Sequence, residues 1–223
     1  MKKLFVFLDL DNTLICSVPF SQLKAIKNYN EIPLNYIDTP EDAFKGPSDP
    51  TDGYRIYLRN GLQQFLSYLF YHFDVGVWTH SVKEYASFVV NNVILKDHPE
   101  RIIKYFLTRE DCDAAMELGA NGHPEFAGLK NLNFVFATTN LKPTDTVIVD
   151  DLDLVKMTNP YNCIPITPFR IEFEGENIML NGFTNTGFLN VGTILYLLKE
   201  NYNASNGFEH TQTIPILLQS KMG

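Results

Sequence analysis

The apolar residues form two kinds of segment, strand-like and helix-like, which follow one another in turn along the chain. Residues 4–8 (LFVFL) form an uninterrupted apolar run, which is typical of a strand buried on both faces. Residues 60–72 instead place Leu62, Phe65 and Leu69 at helical spacing. The same two patterns predict further strands at 55–58, 74–78, 104–107, 146–149 and 163–166, and further helices at 82–94 and 189–200.

This alternation predicts βαβ units, and therefore an α/β fold with a Rossmann-like parallel sheet covered by helices on both faces. Residues 16–54 interrupt the alternation and contain five prolines, so we interpret them as a small insertion after the first strand, with a small hairpin, beside the edge of the sheet. We expect one domain over residues 1–203. Residues 204–223 are predicted to be a loosely attached tail, although their stretch IPILL (214–218) is apolar enough to dock on a core or a partner.

Polar residues follow three of the predicted strands at the points where those strands end. In open α/β sheets, ligands bind in the crevice beyond the carboxyl ends of the strands. Side chains two positions apart on an extended segment point the same way, so we expect Asp9 and Asp11 to face one point in space. The full set comprises Asp9, Asp11 and Thr13 after the first strand, Thr79, His80 and Ser81 after the strand at 74–78, and Asp150 and Asp151 after the strand at 146–149.

Such a concentration of carboxylates calls for a cation, because clustered carboxylates repel one another and raise each other's pKa values. Oxygen ligands without Cys or His suit Mg²⁺, which typically takes one or two carboxylates together with waters and substrate phosphate. The sequence therefore predicts a magnesium site at this edge of the sheet, and the magnesium in turn implies a phosphate substrate.

Two other interpretations of these acids are weaker. The stretch DLDNTL resembles the start of an EF-hand calcium loop, but such a loop needs Gly at its sixth position and Glu at its twelfth, where this chain has Leu14 and Phe20. A single acid at the exit of a strand often caps the next helix. Two pairs of acids on two strands, with Thr-His-Ser on a third, are hard to explain as helix caps.

At these residues the chain resembles the haloacid dehalogenase superfamily of phosphohydrolases, since residues 9–13 (DLDNT) match its first motif, D-x-D-x-T. Within that superfamily it is similar to the NLI-interacting-factor-like phosphatases, which include the TFIIF-associated and small phosphatases of the RNA polymerase II C-terminal domain. The order and approximate spacing of the motifs hold from residue 4 to about residue 200. The further stretches that carry the resemblance are LRNGLQQFL (58–66), VWTHSVKEYA (77–86), LTREDC (107–112), LKNL (129–132), VIVDDL (147–152) and NCIPI (162–166).

Several features depart from the family pattern. Asn60 stands where proline is usual, His80 replaces a small residue, and Asp151 stands where the small-phosphatase branch has Asn. Segments 16–54 and 113–128 are longer than the family pattern leads us to expect. These departures concern the choice of substrate more than the chemistry.

The resemblance implies an aspartyl phosphatase. In such an enzyme Asp9 is the nucleophile, and Asp11 is first the general acid for the leaving oxygen and then the general base for water. The resemblance also implies that Mg²⁺ is held by the Asp9 side chain, the Asp11 backbone carbonyl and Asp151, with Asp150 adjacent.

The remaining site residues are likewise implied by the resemblance. Thr79 is expected to bind a phosphoryl oxygen, helped by backbone N–H groups of His80 and Ser81 at a helix start. Lys130 is expected to stabilise the transition state, and Arg109 to grip the phosphopeptide. Structural alternatives stay open for these residues: Thr79 and Ser81 as helix caps, Lys130 as a solvated surface residue, Arg109 in an ion pair with Glu110, His80 as a filler beside Trp78, and Arg59 as a brace of the fold.

The function expected from the resemblance is Mg²⁺-dependent hydrolysis of phosphoserine or phosphothreonine in a protein, with the polymerase tail as a candidate substrate. A phosphatase of small molecules or of nucleic-acid ends is the enzymatic alternative. Only about 40 residues are spare for a lid, which favours an open cleft and a chain-like substrate. A non-catalytic adaptor that binds phosphate or a peptide is the alternative from a different class.

A cysteine-based phosphatase is rejected. Six residues separate Cys163 from Arg170, where the loop of such an enzyme has five. In addition, Pro165 and Pro168 remove backbone donors that a phosphate loop needs.

Composition narrows the range of partners. The chain has 18 Lys and Arg against 26 Asp and Glu, a formal charge of −8, which does not favour general nucleic-acid binding. Its three widely spaced cysteines imply neither a disulfide framework nor a zinc site, and they favour a reducing compartment. The chain has no apolar run of 18 residues or more, so no membrane span is expected. We expect an intracellular monomer, in the nucleus or cytoplasm, whose partner is a phosphorylated protein or peptide.

Overall fold

A computed structural model describes residues 3–24, 29–41, 44, 53–174 and 177–205, so the predicted tail lies outside the described residues from residue 206 onward. The strands are β1 (Phe5–Leu8), β2 (Ile15–Pro19), β3 (Tyr36–Asp38), β4 (Tyr54–Leu58), β5 (Asp74–Trp78), β6 (Ile103–Leu107), β7 (Thr146–Asp150), β8 (Cys163–Pro165), β9 (Arg170–Glu174) and β10 (Asn177–Asn181). The α-helices are α1 (Phe20–Lys24), α2 (Leu62–His72), α3 (Lys83–Val89), α4 (Arg109–Ala120), α5 (Leu132–Thr138), α6 (Asp153–Thr158) and α7 (Thr186–Ser205).

Five strands form a parallel sheet in the order β6-β5-β1-β7-β8, which confirms the predicted α/β fold. The apolar strand β1 lies at the centre of the sheet, and all four of its residues are buried. Val6 and Leu8 pack in a core with residues of α2, α3 and α7. Phe5 and Phe7 pack on the opposite face with residues of α4, α5 and α6. Helices therefore cover both faces, as the alternating pattern predicted.

The predicted insertion at 16–54 contributes to a second, antiparallel sheet in the order β2-β4-β3. A hairpin of β9 and β10, which the sequence did not predict, packs against this small sheet. Cys16 and Tyr57 of the sheet share one buried cluster with Ile171 of the hairpin and with Phe169, which immediately precedes the hairpin. We call this unit of β2, β3, β4, β9 and β10 the cap layer.

Several helices differ from the sequence prediction. The helix predicted at 82–94 is α-helical only as far as Val89 and continues as a π-helical turn, Val90–Ile94. Helices α4, α5 and α6 were not predicted, and α7 extends beyond 189–200 at both ends. All three cysteines are buried and unpaired. Within the described ranges, no helix is both long enough and apolar enough to cross a membrane.

Candidate active site

The candidate site lies where β1 and β7 end side by side. The pairing of these strands continues one residue past β1, because the Asp9 N–H donates to the Val149 carbonyl oxygen at 3.0 Å. Asp9 therefore leaves the strand directly beside Asp150, the last residue of β7. Both residues are buried, with 4% and 0% of their surface exposed.

Three carboxylates meet at this edge of the sheet. Asp9, Asp150 and Asp151 each present one carboxylate oxygen, and the three oxygens lie within 4.8 Å of one another. A donor set made only of carboxylate oxygens suits a hard divalent cation such as Mg²⁺. These residues therefore fit the kind of metal that the sequence predicts.

Lys130 is buried among these carboxylates rather than solvated, so the surface alternative for this residue is wrong. Its Nζ donates to Asp9 Oδ1 at 2.5 Å and to Asp150 Oδ2 at 2.7 Å, and its side chain is 1% exposed. Burial lowers the pKa of the amine, but the charges of Asp9 and Asp150 outweigh this effect and raise the pKa overall. The cation that the acidic cluster requires is thus supplied in part by the chain itself.

The loop before α5 holds Lys130 in place. The Lys130 backbone has φ +49°, a left-handed conformation that is uncommon for a residue with a side chain. Asn159 stabilises this conformation, because its Nδ2 donates to the Lys130 carbonyl at 3.0 Å while its Oδ1 accepts from the Leu132 N–H at 2.9 Å. The side chain of Asn131 also binds the loop, donating to the Ala127 carbonyl at 2.6 Å.

The Asp11 side chain is not part of the group of three carboxylates, although the charge of Asp9 is near enough to help burial raise its pKa. The Ser81 hydroxyl donates to Asp11 Oδ2 at 2.7 Å, and the Tyr85 hydroxyl donates to Asp11 Oδ1 at 2.7 Å. The Asp11 side chain therefore has hydrogen-bond partners of its own, and the three oxygens that could share a metal ion come from Asp9, Asp150 and Asp151. Burial raises the pKa of Asp11, and the hydrogen bond from Ser81 opposes that rise.

Asp150 and Asp151 have different partners although they are adjacent. Burial raises the pKa of Asp150 to about 7, with the charge of Asp9 acting in the same direction and Lys130 opposing it. Burial also raises the pKa of Asp151. Asp151 Oδ1 accepts from the Thr13 hydroxyl at 3.4 Å, and its Oδ2 lies 3.3 Å from Arg170 Nη2.

The polar loop after β5 reaches the site at Asp11, to which its Ser81 hydroxyl donates. Thr79 is buried, and its Oγ1 accepts from the Ser81 N–H at 3.1 Å, which leaves the hydroxyl proton of Thr79 available for donation. The N-cap of α3 is Val82, which makes no side-chain cap, so the interpretation of Thr79 and Ser81 as helix caps is wrong. His80 is exposed at the tip of the loop.

Arg109 binds the same loop from the start of α4. Its backbone N–H donates to the Ser81 carbonyl at 3.1 Å, and its side-chain Nε donates to the His80 carbonyl at 3.1 Å. The carboxylate of Glu110 instead accepts a hydrogen bond from the Thr108 hydroxyl. Arg109 is therefore attached to the site, with the remainder of its guanidinium exposed beside His80.

Arg59 is a buried brace, as its structural alternative proposed. It is 2% exposed, and its Nη1 donates to the Thr13 carbonyl at 3.0 Å. Its guanidinium carbon lies 5.1 Å from the ring centroid of Phe188. Burial lowers the pKa of Arg59 to about 10, against the opposing charge of Asp151. Arg59 thus connects α7 to the loop that carries the first two aspartates.

Two contacts of the site were not predicted from the sequence. Tyr85 bonds Asp11, and its hydroxyl also contacts the Ser17 hydroxyl of β2. Arg170 contacts Asp151 from the cap layer. Tyr85 lies inside the motif VWTHSVKEYA, and this membership was the one available sign that it belongs to the site. Its helical spacing alone is typical of a core residue. Arg170 carries no such signal, because only the fold brings β9 to the site.

A protein-family model described as NLI interacting factor-like phosphatase matches residues 4–183. The chain belongs to this family. The match includes the aspartates that form the cluster and the loop of Lys130, and it confirms the resemblance on which the sequence analysis relied.

The chain is also similar to viral proteins, two of which come from invertebrate iridescent viruses. The chain is 35% identical over 167 residues to the putative CTD phosphatase-like protein 355R of invertebrate iridescent virus 6, covering 74% of this chain and 85% of that protein. It is 34% identical over 174 residues to the protein of the same name from invertebrate iridescent virus 3, covering 75% and 85%. Both relatives are thus matched over most of their length.

The fold is similar to that of a solved phosphatase. The fission yeast RNA polymerase II CTD phosphatase Fcp1, solved with beryllium fluoride, superposes with a TM-score of 0.63. The similarity covers 97% of this chain and 70% of that chain, at 16% sequence identity. At this identity the comparison supports the fold, and the family assignment rests on the family model and the viral relatives.

Proposed function

We propose that this family member is a Mg²⁺-dependent phosphatase that removes phosphate from phosphoserine or phosphothreonine in a protein, with the RNA polymerase II C-terminal domain as a candidate substrate. The observation that carries the proposal is the division of the first motif. Asp9 lies in the carboxylate cluster beside Lys130, whereas Asp11 is bound by neutral hydroxyls. This division matches the separate needs of a nucleophile and of an acid–base group.

Asp9 attacks phosphorus and forms an aspartyl-phosphate, with release of the serine or threonine oxygen. Attack by a carboxylate on a phosphate dianion is opposed by charge repulsion. The ammonium of Lys130, 2.5 Å from Asp9, offsets that repulsion and stabilises the charge that develops on the phosphoryl oxygens.

Asp11 donates a proton to the leaving oxygen and then accepts one from the water that hydrolyses the intermediate. A group with both duties works best when its pKa lies near the working pH, and burial raises the pKa of Asp11 in that direction. Ser81 and Tyr85 hold the carboxylate in a fixed orientation between the two steps.

Asp9, Asp150 and Asp151 are the side chains that would hold Mg²⁺, with the Asp11 backbone carbonyl as a further ligand. When bound, Mg²⁺ supplies charge neutralisation between the nucleophile and the phosphate. The chemistry of the three clustered carboxylates supports this assignment.

We propose that Thr79, His80 and Lys130 bind the phosphate group of the substrate. The Thr79 hydroxyl keeps a proton to donate, and the backbone N–H of His80 follows it in the loop. The Ser81 N–H already donates to Thr79, so we remove it from the N–H groups predicted to bind phosphate. Arg109, fixed to this loop by two hydrogen bonds, is proposed to bind the substrate beside the phosphate.

A peptide substrate is favoured over a small molecule by the surface next to Asp11. Tyr85 packs against Phe44 and Tyr54 with ring centroids 5.6 and 5.7 Å apart, and Phe44 also contacts Phe88. This aromatic group gives the acid–base side of the site an apolar neighbour that suits the prolines of a chain-like substrate. We retain the single domain at 1–203 and the monomeric state as parts of the proposal.

The experiment that tests the proposal measures hydrolysis of p-nitrophenyl phosphate and of a phosphoserine heptad-repeat peptide, with and without Mg²⁺. Wild type is compared with Asp9→Asn and with Asp113→Asn, which removes an exposed carboxylate of α4 as a matched control. We expect Mg²⁺-dependent turnover of both substrates that Asp9→Asn abolishes and Asp113→Asn preserves. Turnover of the small ester alone would favour the small-molecule phosphatase, and no turnover by a folded protein would leave an adaptor.

A further inference from the structure

Arg170 is a cation at the rim of the site to which the proposed function gives no role. It is the first residue of β9 and lies between two buried neighbours, Phe169 and Ile171. The Phe169 N–H donates to the Asn12 carbonyl oxygen at 2.7 Å, which ties the start of the hairpin to the loop of the first motif. The backbone of Arg170 is therefore fixed relative to the carboxylates, although its side chain is 43% exposed.

The guanidinium of Arg170 is only partly used by the protein. Its Nη2 lies 3.3 Å from Asp151 Oδ2, which is a long contact through a single nitrogen, whereas arginine and carboxylate commonly form two parallel shorter bonds. Asp151 is its one ion-pair partner among the described residues, and its other terminal nitrogen, Nη1, makes no hydrogen bond with them. Its Nε also has no partner there but is buried, so only the two terminal nitrogens can reach a substrate. Arg170 therefore retains donor capacity beyond this contact.

Relative burial indicates which part of a substrate Arg170 faces. The Asp151 side chain is 1% exposed and Arg170 is 43% exposed, so the guanidinium lies on the solvent side of the cluster. The interior position next to the nucleophile is already taken by Lys130, which is 1% exposed. Arg170 is thus placed to contact a substrate beyond its reacting phosphate.

The order of the strands places a second arginine on the other side of the nucleophile. Arg109 binds the loop after β5, and Arg170 contacts the residue that follows β7. Strands β5 and β7 flank β1, whose end carries Asp9. A peptide whose phosphorylated residue reaches Asp9 along this edge therefore passes between the two arginines.

We propose that Arg170 determines substrate specificity by binding an anionic group, a carboxylate or a second phosphate, that flanks the phosphorylated residue of a peptide on the β7 side. The proposal rests on the proposed function, because it assumes that phosphopeptides are substrates. A guanidinium presents paired donors that match the oxygens of either anion. Binding exchanges the long contact with Asp151 for shorter contacts with the substrate.

The test uses the full chain with Mg²⁺ and phosphoserine peptides that differ only in their flanks. One peptide is neutral on both sides, one carries glutamates before the phosphoserine, and one carries them after it. The values of kcat/KM are compared for wild type, Arg170→Ala, Arg170→Lys and the control Lys104→Ala, which removes an exposed charge of β6. Fluorescence anisotropy with the same variants in an Asp9→Asn background measures binding without turnover and also includes a second phosphoserine in place of glutamate.

We expect wild type to prefer glutamates on one or both sides. Arg170→Ala should lower the preference for one side by roughly three- to tenfold, as for one charge-assisted contact at the surface. Arg170→Lys should retain part of this preference, and Lys104→Ala should retain all of it. In Arg170→Ala, the preference for glutamates on the other side should not change. Equal losses for all three peptides in Arg170→Ala would overturn the proposal, because they would mean that Arg170 acts only through Asp151. Lack of turnover of every phosphopeptide by wild type would instead contradict the proposed function.

Discussion

Asp9 and Asp11 are two residues apart in one loop, yet their carboxylates have different hydrogen-bond partners. Asp9 bonds a buried ammonium, that of Lys130, and shares a cluster with two more carboxylates. Asp11 bonds two neutral hydroxyls, those of Ser81 and Tyr85, and burial raises its pKa. One carboxylate is therefore hydrogen-bonded to a positively charged group, and the other to uncharged donors.

The comparison indicates that the hydrogen-bond partners of the two aspartates, rather than their residue type, determine which one acts as nucleophile and which one exchanges protons. A carboxylate beside a cation is suited to attack a phosphate, because the cation reduces charge repulsion in the transition state. A buried carboxylate bound by hydroxyls is suited to exchange protons near neutral pH. Pairs of carboxyl groups with such divergent environments mark the acid–base assignments of many active sites.

Lys130→Ala has the largest expected effect, because it removes the cation from the Asp9 side. Loss of one partner from a buried ion pair costs about 3–5 kcal/mol, and here it leaves Asp9 and Asp150 facing each other. We expect a fall of that order in the free energy of unfolding without metal, measured by urea denaturation, and loss of detectable turnover. Added Mg²⁺ should restore part of the stability and none of the turnover.

The control for this variant is Lys156→Ala, which removes an exposed lysine of α6 and should behave as wild type. Wild-type stability of Lys130→Ala in the absence of metal would contradict the account of the Asp9 side.

Tyr85→Phe has the next largest expected effect, on the Asp11 side. The Tyr85 hydroxyl lowers the pKa of Asp11, so its removal raises that pKa further. Because the general acid must be protonated, the falling limb of kcat/KM against pH should move to higher pH, and kcat/KM for a phosphopeptide should fall about tenfold. p-Nitrophenyl phosphate should be less affected, since its leaving group needs little help from an acid.

Tyr71→Phe is the matched control, because Tyr71 is 77% exposed on α2. A pH profile of Tyr85→Phe that is lowered but not displaced would assign Tyr85 to packing alone.

The smallest expected effect is the pH dependence of stability in the metal-free protein. The pKa of Asp150 is raised from 3.8 to about 7, chiefly by burial. A carboxyl group with a raised folded-state pKa contributes stability below its unfolded pKa and loses it as the pH rises through the folded value. We therefore expect Tm in EDTA to fall by a few degrees between acidic and neutral pH, and to fall less in Asp150→Asn. Identical pH profiles for the two proteins would show that Asp150 is not the group responsible.

The sequence predicted the central sheet and the acids at its edge with good accuracy. The run at 4–8 became β1 at the centre of the sheet, and the strand at 146–149 ends at Asp150 as expected. These features are local, because an uninterrupted apolar run and a following acid are both visible in a few adjacent residues.

The cap layer and the hydrogen-bond partners of Asp11 depend on contacts that adjacent residues do not reveal. The hairpin of β9 and β10 buries Ile171 against residues more than a hundred positions earlier, such as Cys16 and Tyr57. The Asp11 carboxylate is bound by Ser81 and Tyr85, which lie 70 and 74 positions later in the chain, so its partners could not be found from adjacent residues. The left-handed backbone of Lys130 is likewise stabilised by a distant residue, Asn159, which follows α6.

The most direct test of the division between Asp9 and Asp11 is intact-protein and peptide mass spectrometry of Asp11→Asn after mixing with p-nitrophenyl phosphate and Mg²⁺. Because this ester needs little acid assistance, the variant should form the aspartyl-phosphate and then stall without its general base. The account predicts one phosphoryl group per chain, located on Asp9, and a single burst of p-nitrophenolate, with neither seen in Asp9→Asn. A phosphoryl group on another residue, or steady turnover by Asp11→Asn at the wild-type rate, would contradict it.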